Sequence, residues 1–128
     1  MTNALREVVR KRARNKCEYC RIHQADAPFV KHQIEHIIPR QHGGSDRLGN
    51  LALACYRCNK FKGPNLSAID PRTGKVVRLF NPRRQRWQNH FSVRGVLILG
   101  RTAVGRATVE LLQMNSAKRQ GLRSEIDG

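Results

Sequence analysis

The sequence predicts a small α+β domain in which a strand–loop–strand–helix unit is clamped by two cysteine pairs. Three observations lead there. Cys17-Glu18-Tyr19-Cys20 and Cys55-Tyr56-Arg57-Cys58 share the CxxC spacing. Between them lie a β-branched stretch ending at Pro39, a loop with Gly43-Gly44, and the short apolar run Leu51–Ala54. After them come extra helical patterns and a hairpin pattern. The 128 residues suit one domain, since domains typically run ~100–150 residues. Its core is expected at about 15–64 and a C-terminal extension at about 65–128.

Each element has a local reason. Residues 3–15 read as a basic helix with Leu5, Val8 and Val9 as its apolar face and Thr2 or Asn3 as its cap. Residues 29–38 read as a strand, rich in β-branched side chains and stopped by Pro39. Leu51–Ala54 is a second strand, and Tyr56 to Lys62 a short helix ended by Gly63-Pro64. Asp70–Gly74 is a turn before a strand over Lys75–Phe80. Arg94-Gly95 joins Phe91–Val93 to Val96–Leu99 as a hairpin. Thr102 caps a helix running to about Met114, in which Gly105 costs ~1 kcal/mol against Ala. A last short helix is expected over 116–126.

Composition narrows the function. Hydrophobic residues make up 39% and aromatics 5%, a thin core for this length. Lys plus Arg is 25 against 9 Asp plus Glu, a formal net charge of +16. Such a field favours a polyanion as partner. The longest aliphatic run, Val96–Leu99, excludes a membrane-spanning helix. The basic start leads into no apolar stretch, so a cytoplasmic protein is expected. In that setting four cysteines point away from disulfides and towards a tetrahedral zinc site of Cys17, Cys20, Cys55 and Cys58. A redox CxxC is the rival, and it lacks the βαβ context such motifs use. Zinc would also supplement the thin core, because metal binding contributes to folding.

The stretch around the cysteine pairs carries hydrolytic chemistry. To cleave a phosphodiester, water must lose a proton, and a neutral imidazole can take it. The growing negative charge can be neutralised by a divalent cation held by hard oxygen donors. His36 suits the base, and Glu35 and Asn59 suit the cation. The ordered series Cys17-x-x-Cys20, Ile34-Glu35-His36-Ile37-Ile38-Pro39, Gly43-Gly44-Ser45-Asp46, Asn50-Leu51 and Cys55-x-x-Cys58-Asn59-Lys60-x-Lys62-Gly63 resembles the HNH endonuclease family in its four-cysteine zinc form. Less of the later chain carries the likeness, but Asn81-Pro82-Arg83, Trp87, His90-Phe91 and Gly105–Val109 are similar to small stand-alone bacterial HNH proteins.

The resemblance implies a ββα-metal (His-Me) finger with the zinc site as staple, extra helices, and a C-terminal β-hairpin plus helix. It implies His36 as general base and Asn50 as the residue that holds the loop and orients the base. It implies Glu35 and Asn59 as ligands of one divalent cation, and DNA cut to leave 5′-phosphate and 3′-hydroxyl ends. Glu at 35 and Asn at 59 depart from the commoner Asp and His, and an Asn ligand favours Mg²⁺ or Mn²⁺. Candidate nucleic-acid contacts are Arg40, Arg57, Lys60, Arg83, Arg84 and Arg86, with low or short sequence specificity. His32 shares a strand face with His36, but its plain reading is packing or hydrogen bonding. His42 sits in a Gly-rich loop where it could touch phosphate, with solvation its plain reading; His23 reads as incidental, and His90, beside Trp87 and Phe91, as core or surface and not a ligand. The rival from another class is a non-catalytic, zinc-stabilised DNA-binding module. High charge does not separate DNA from RNA.

Overall fold

The computed structural model describes residues 1–127. Helix α1 spans Asn3–Arg12 and is capped by Thr2, whose hydroxyl accepts from the Leu5 amide at 3.1 Å. It ends three residues earlier than its composition suggests, because Arg14 and Asn15 both take left-handed backbone (φ 55° and 59°). That reversal brings Lys16 opposite His23 and starts the first cysteine knuckle.

Strands β1 (Gln33–His36) and β2 (Leu51–Ala54) form an antiparallel pair, with Glu35 opposite Ala52 and His36 opposite Leu51. The expected strand over 29–38 is therefore shorter at both ends. Phe29 and Val30 are exposed, and the His32 amide is taken by the Gln24 side chain, not by a neighbouring strand. Beta propensity without a partner strand leaves a loop.

The pleat gives this hairpin two different faces. Ile34, Leu51 and Leu53 pack with Leu5 and Val9 of α1. The Arg12 guanidinium fastens that helix by donating to the Leu48 and Leu51 carbonyls at 3.0 and 2.6 Å. On the other face Ala52 and Ala54 join the main core with the cysteines, Tyr19, Phe80, Trp87 and Phe91. Helix α2 (Tyr56–Lys62) covers that second face, capped by the Cys55 sulfur, which accepts from the Cys58 amide. Tight turns at Arg40–His42 and Leu48–Asn50 shape the loop between the strands. A Cβ on Gly44 would stand 1.6 Å from the Ile38 carbonyl oxygen, so only glycine fits there.

The rest forms a support. Strands β3 (Ser67–Ile69) and β4 (Val76–Arg78) pair antiparallel. β3 is a strand the sequence pattern does not announce. Helix α3 (Trp87–His90) leads into the hairpin β5 (Phe91–Arg94) and β6 (Leu97–Gly100). Helix α4 (Ala103–Leu111) starts at the Thr102 cap, as expected, but stops before Met114, where Gln113 turns left-handed. Helix α5 (Ala117–Asp127) closes the described chain. No helix among the described residues is long and apolar enough to cross a membrane.

Gly105 reverses its sequence-based reading. A Cβ there would lie 1.9 Å from the His90 carbonyl oxygen, and one on Gly100 would lie 2.3 Å from the Arg106 nitrogen. The two glycines let α4 seat directly on β6 and the end of α3. Gly105→Ala, favourable by helix propensity alone, is expected to destabilise the protein by about 1–3 kcal/mol through overpacking. A thermal melt showing a raised midpoint would contradict this.

Candidate metal centre and His36 site

The four cysteine sulfurs lie within 4.8 Å of one another, all in buried residues. Cys20 and Cys55 sulfurs are 3.7 Å apart. Tetrahedral zinc with Zn–S bonds of ~2.3 Å needs sulfurs about 3.8 Å apart. The cluster fits a structural zinc. Each knuckle closes in the same way, with the Cys20 amide directed at the Cys17 sulfur and the Cys58 amide at the Cys55 sulfur. Burial pushes the Cys17 and Cys58 thiols well up, while sulfur hydrogen bonds hold Cys20 down, with a smaller downward shift at Cys55. A metal bound there would turn all four into thiolates and tie residues before β1 to those opening α2.

A cation from the far end of the chain also reaches the cluster. Arg119 of α5, itself buried, directs Nη2 at the Cys58 sulfur at 3.0 Å and the Cys55 sulfur at 3.7 Å. Its Nη1 donates to the Leu112 carbonyl at 2.7 Å. Burial works against its charge, but the interactions with the Cys58 and Cys20 sulfurs outweigh that and hold its pKa above the ordinary value. Nothing in the local sequence around Arg119 announces this role.

His36 sits at the end of β1 with its side chain 17% exposed. Its Nε2 is 2.7 Å from the Asp46 Oδ1. Asp46 also accepts from Arg40 Nη2 at 3.0 Å. Both contacts pull the Asp46 carboxyl below the usual carboxylate range, the bond to His36 first. A carboxylate only accepts, so Nε2 carries the hydrogen of this contact and Nδ1 is the ring nitrogen left outside it. Asn50 does not bond the ring. Its Oδ1 accepts from the Ile38 amide at 2.8 Å, and its Nδ2 donates to the Ile38 and Ser45 carbonyls. It holds the loop that carries Asp46 and so acts on His36 indirectly.

Glu35, next to His36 in sequence, faces the opposite way. Its residue is 4% exposed. Oε2 accepts from the Tyr19 hydroxyl at 2.7 Å, and the Lys62 ammonium stands 2.6 Å from Oε1. Lys62 also donates to the Ile37 carbonyl at 3.0 Å. Burial pushes the Glu35 carboxyl above the usual range, against the pull of Lys62 and Tyr19. Asn59 of α2 faces the same side of β1, where its side-chain amide bonds Gln33. The pleat thus places Glu35 and Asn59 on the face of β1 opposite His36. Glu35 and Asn59 do not present an open cation site, since the Lys62 ammonium fills the space beside Oε1. Among the described residues, the four cysteines are the only group of three or more Cys, His, Asp or Glu donors that converge.

The other expected contacts divide. The Arg83 guanidinium is mostly buried in an ion pair with Glu18, which also accepts from the Leu53 amide at 2.8 Å. It staples the C-terminal extension to the finger. Arg84, Arg86 and Lys60 are exposed, and Arg57 is partly so. His32 is buried, with Nε2 3.0 Å from the Ile22 carbonyl, a packing role as expected. His90 bonds Thr102 at 2.6 Å and His23 caps a turn.

A β-hairpin covered by a short helix, with a histidine at the strand end and a four-cysteine cluster beneath, is in general terms the arrangement of an HNH-type finger. Residues 17–65 match the family model described as HNH endonuclease. Together with the cysteine cluster, this supports an HNH-family nuclease-like domain over that segment. Among curated proteins, the Septu protein PtuB of Bacillus thuringiensis is 28% identical over 107 residues, 82% of this chain. The aligned region covers 38% of that relative's length. No solved structure matches the chain.

Proposed function

We propose that the chain is an endonuclease that hydrolyses DNA phosphodiester bonds, with His36 as general base and a structural zinc on Cys17, Cys20, Cys55 and Cys58. The observation that carries this reading is the His36–Asp46 pair at the strand end of the segment matched to the HNH endonuclease model. With Nε2–H held by Asp46, Nδ1 accepts the proton of an attacking water. The water oxygen bonds phosphorus, the bond to the leaving 3′ oxygen breaks, and that oxygen takes a proton from solvent. Asn50 positions the loop, and surface arginines hold the backbone. Four free cysteines suit a reducing, cytoplasmic setting.

No step is assigned to a divalent cation, because Glu35 as folded is neutralised by Lys62. A Mg²⁺ or Mn²⁺ ion held by Glu35 and Asn59 would require Lys62 to withdraw. The same covered carboxylate is the one observation that favours the rival, a non-catalytic DNA-binding module.

The test is conversion of supercoiled plasmid to nicked or linear DNA by zinc-loaded protein in Mg²⁺, in Mn²⁺ and in EDTA, beside His36→Ala. Cutting by the wild type alone supports the reading, and the EDTA arm decides the cation requirement. Binding with no turnover in any cation would favour the module. Asp46→Ala is expected to lower kcat by about 10–100-fold with KM nearly unchanged, because the ring loses its orientation. An unchanged kcat would remove Asp46 from the site.

A further inference from the structure

We infer that the groove between α1 and β1 holds the phosphodiester backbone of DNA beside His36, an inference that rests on the nuclease reading above. The groove has a volume of about 610 Å³. Ile34 and His36 line it from β1, Arg6 and Arg10 from α1, and Lys31 and Arg40 from the two ends of the strand segment. Its charged lining residues are the cations Arg6, Arg10, Lys31 and Arg40, and the Asp46 carboxylate behind them bonds His36 and Arg40.

The charges are arranged as well as numerous. Arg6 and Arg10 are four residues apart, so they stack on one side of α1 about 6 Å apart along the axis. Like charges at that spacing weakly destabilise a helix, and a bound anion offsets their repulsion. Arg10 is fixed by donating to the His32 carbonyl at 2.8 Å, and Arg40 by Asp46 at 3.0 Å. Little side-chain freedom is then lost when they meet phosphate. Arg6 and Lys31 are exposed at the mouth. Phosphate contacts of this kind place a backbone without reading bases. Helix α1 precedes the segment matched to the HNH endonuclease model. The arginines that the sequence makes most conspicuous, around Trp87, include Arg83, which is already spent on Glu18.

The experiment measures binding of a short fluorescent DNA duplex by anisotropy across a salt series, in EDTA. The proteins are wild type, the double variant Arg6→Gln/Lys31→Gln, its charge-keeping counterpart Arg6→Lys/Lys31→Arg, and a control, Arg94→Gln/Lys118→Gln, whose charges lie outside the groove. Each lost phosphate contact lowers the steepness of log K against log salt by about 0.9. The groove variant is expected to lose about 1.8 in slope, the sum of two contacts. The charge-keeping variant retains the wild-type slope, and the control changes far less. Equal losses in the groove variant and the control, or none in either, would overturn the groove. Matching melts of all four proteins separate lost contacts from lost folding. Plasmid cleavage by the wild type is scored separately. Cleavage with a groove-independent slope sinks the groove and leaves the nuclease, whereas a groove-dependent slope without cleavage sinks the nuclease and leaves the groove as the DNA site.

Discussion

His36→Ala is expected to slow plasmid cleavage by roughly 10²–10⁴-fold, the usual contribution of a positioned general base, while duplex affinity stays within a few-fold of the wild type. The two halves of this expectation have separate causes. The base acts only as water loses its proton, so its removal is felt in kcat. Affinity comes from cations around the ring, and Arg10 and Arg40 keep their own anchors on His32 and Asp46 when the imidazole is gone. The variant should also fold, because His36 lies at the strand end and contributes no side chain to either apolar cluster. Cleavage assays at saturating DNA, with anisotropy as the companion, check both halves. Equal cutting by His36→Ala would assign the base elsewhere or expose a contaminant. Lys62→Met complements this test, since it leaves Glu35 buried without its counter-ion and is expected to destabilise the fold by about 3–5 kcal/mol.

Removing zinc is expected to abolish the cooperative thermal transition of the protein, and Cys58→Ser to do nearly the same. The cysteines are core residues here. Cys17 and Cys58 are fully buried and share one apolar cluster with Tyr19, Phe80, Trp87 and Phe91. Structural zinc contributes apparent free energies of about 10–16 kcal/mol in zinc-finger peptides, on the scale of a whole domain's stability of about 5–15 kcal/mol. The cysteine cluster also holds helix α5 through Arg119. A tetrathiolate zinc carries two net negative charges, and Arg119 offsets one of them inside the core. Arg119→Met keeps the volume and removes the charge, so it is expected to weaken zinc retention by about 10–100-fold against a chromophoric chelator. Zinc content, melting curves and chelator competition measure these effects. A cooperative melt that survives complete metal removal would show that apolar packing alone holds the fold.

What could be read in the chain and what could not divide along a physical line. The sequence alone determined the features that depend on local spacing. Paired CxxC motifs bring four sulfurs to one point because each knuckle is a short closed turn. The run Leu51 to Lys62 makes a strand and a helix because its apolar residues, its Cys55 cap and Gly63 agree locally. Thr102 starts α4 by the same local chemistry. Of the candidate site, the fold places His36 at the end of β1 and Asn50 in the loop that carries Asp46. Strand lengths were less legible in the sequence, since Phe29 and Val30 have strand-forming side chains but no strand to pair with.

Only the tertiary structure decided which side chains spend their charge on one another. Lys62 on Glu35, Arg83 on Glu18 and Arg119 on Cys58 join residues 27, 65 and 61 positions apart, or bind across the core in ways no local pattern encodes. Asp46 was visible only as a loop residue until the fold set it on His36. The alternation of the pleat separated Glu35 from His36, although they are neighbours in sequence. Composition tells how many cations a chain carries; burial and partner geometry decide which of them remain exposed.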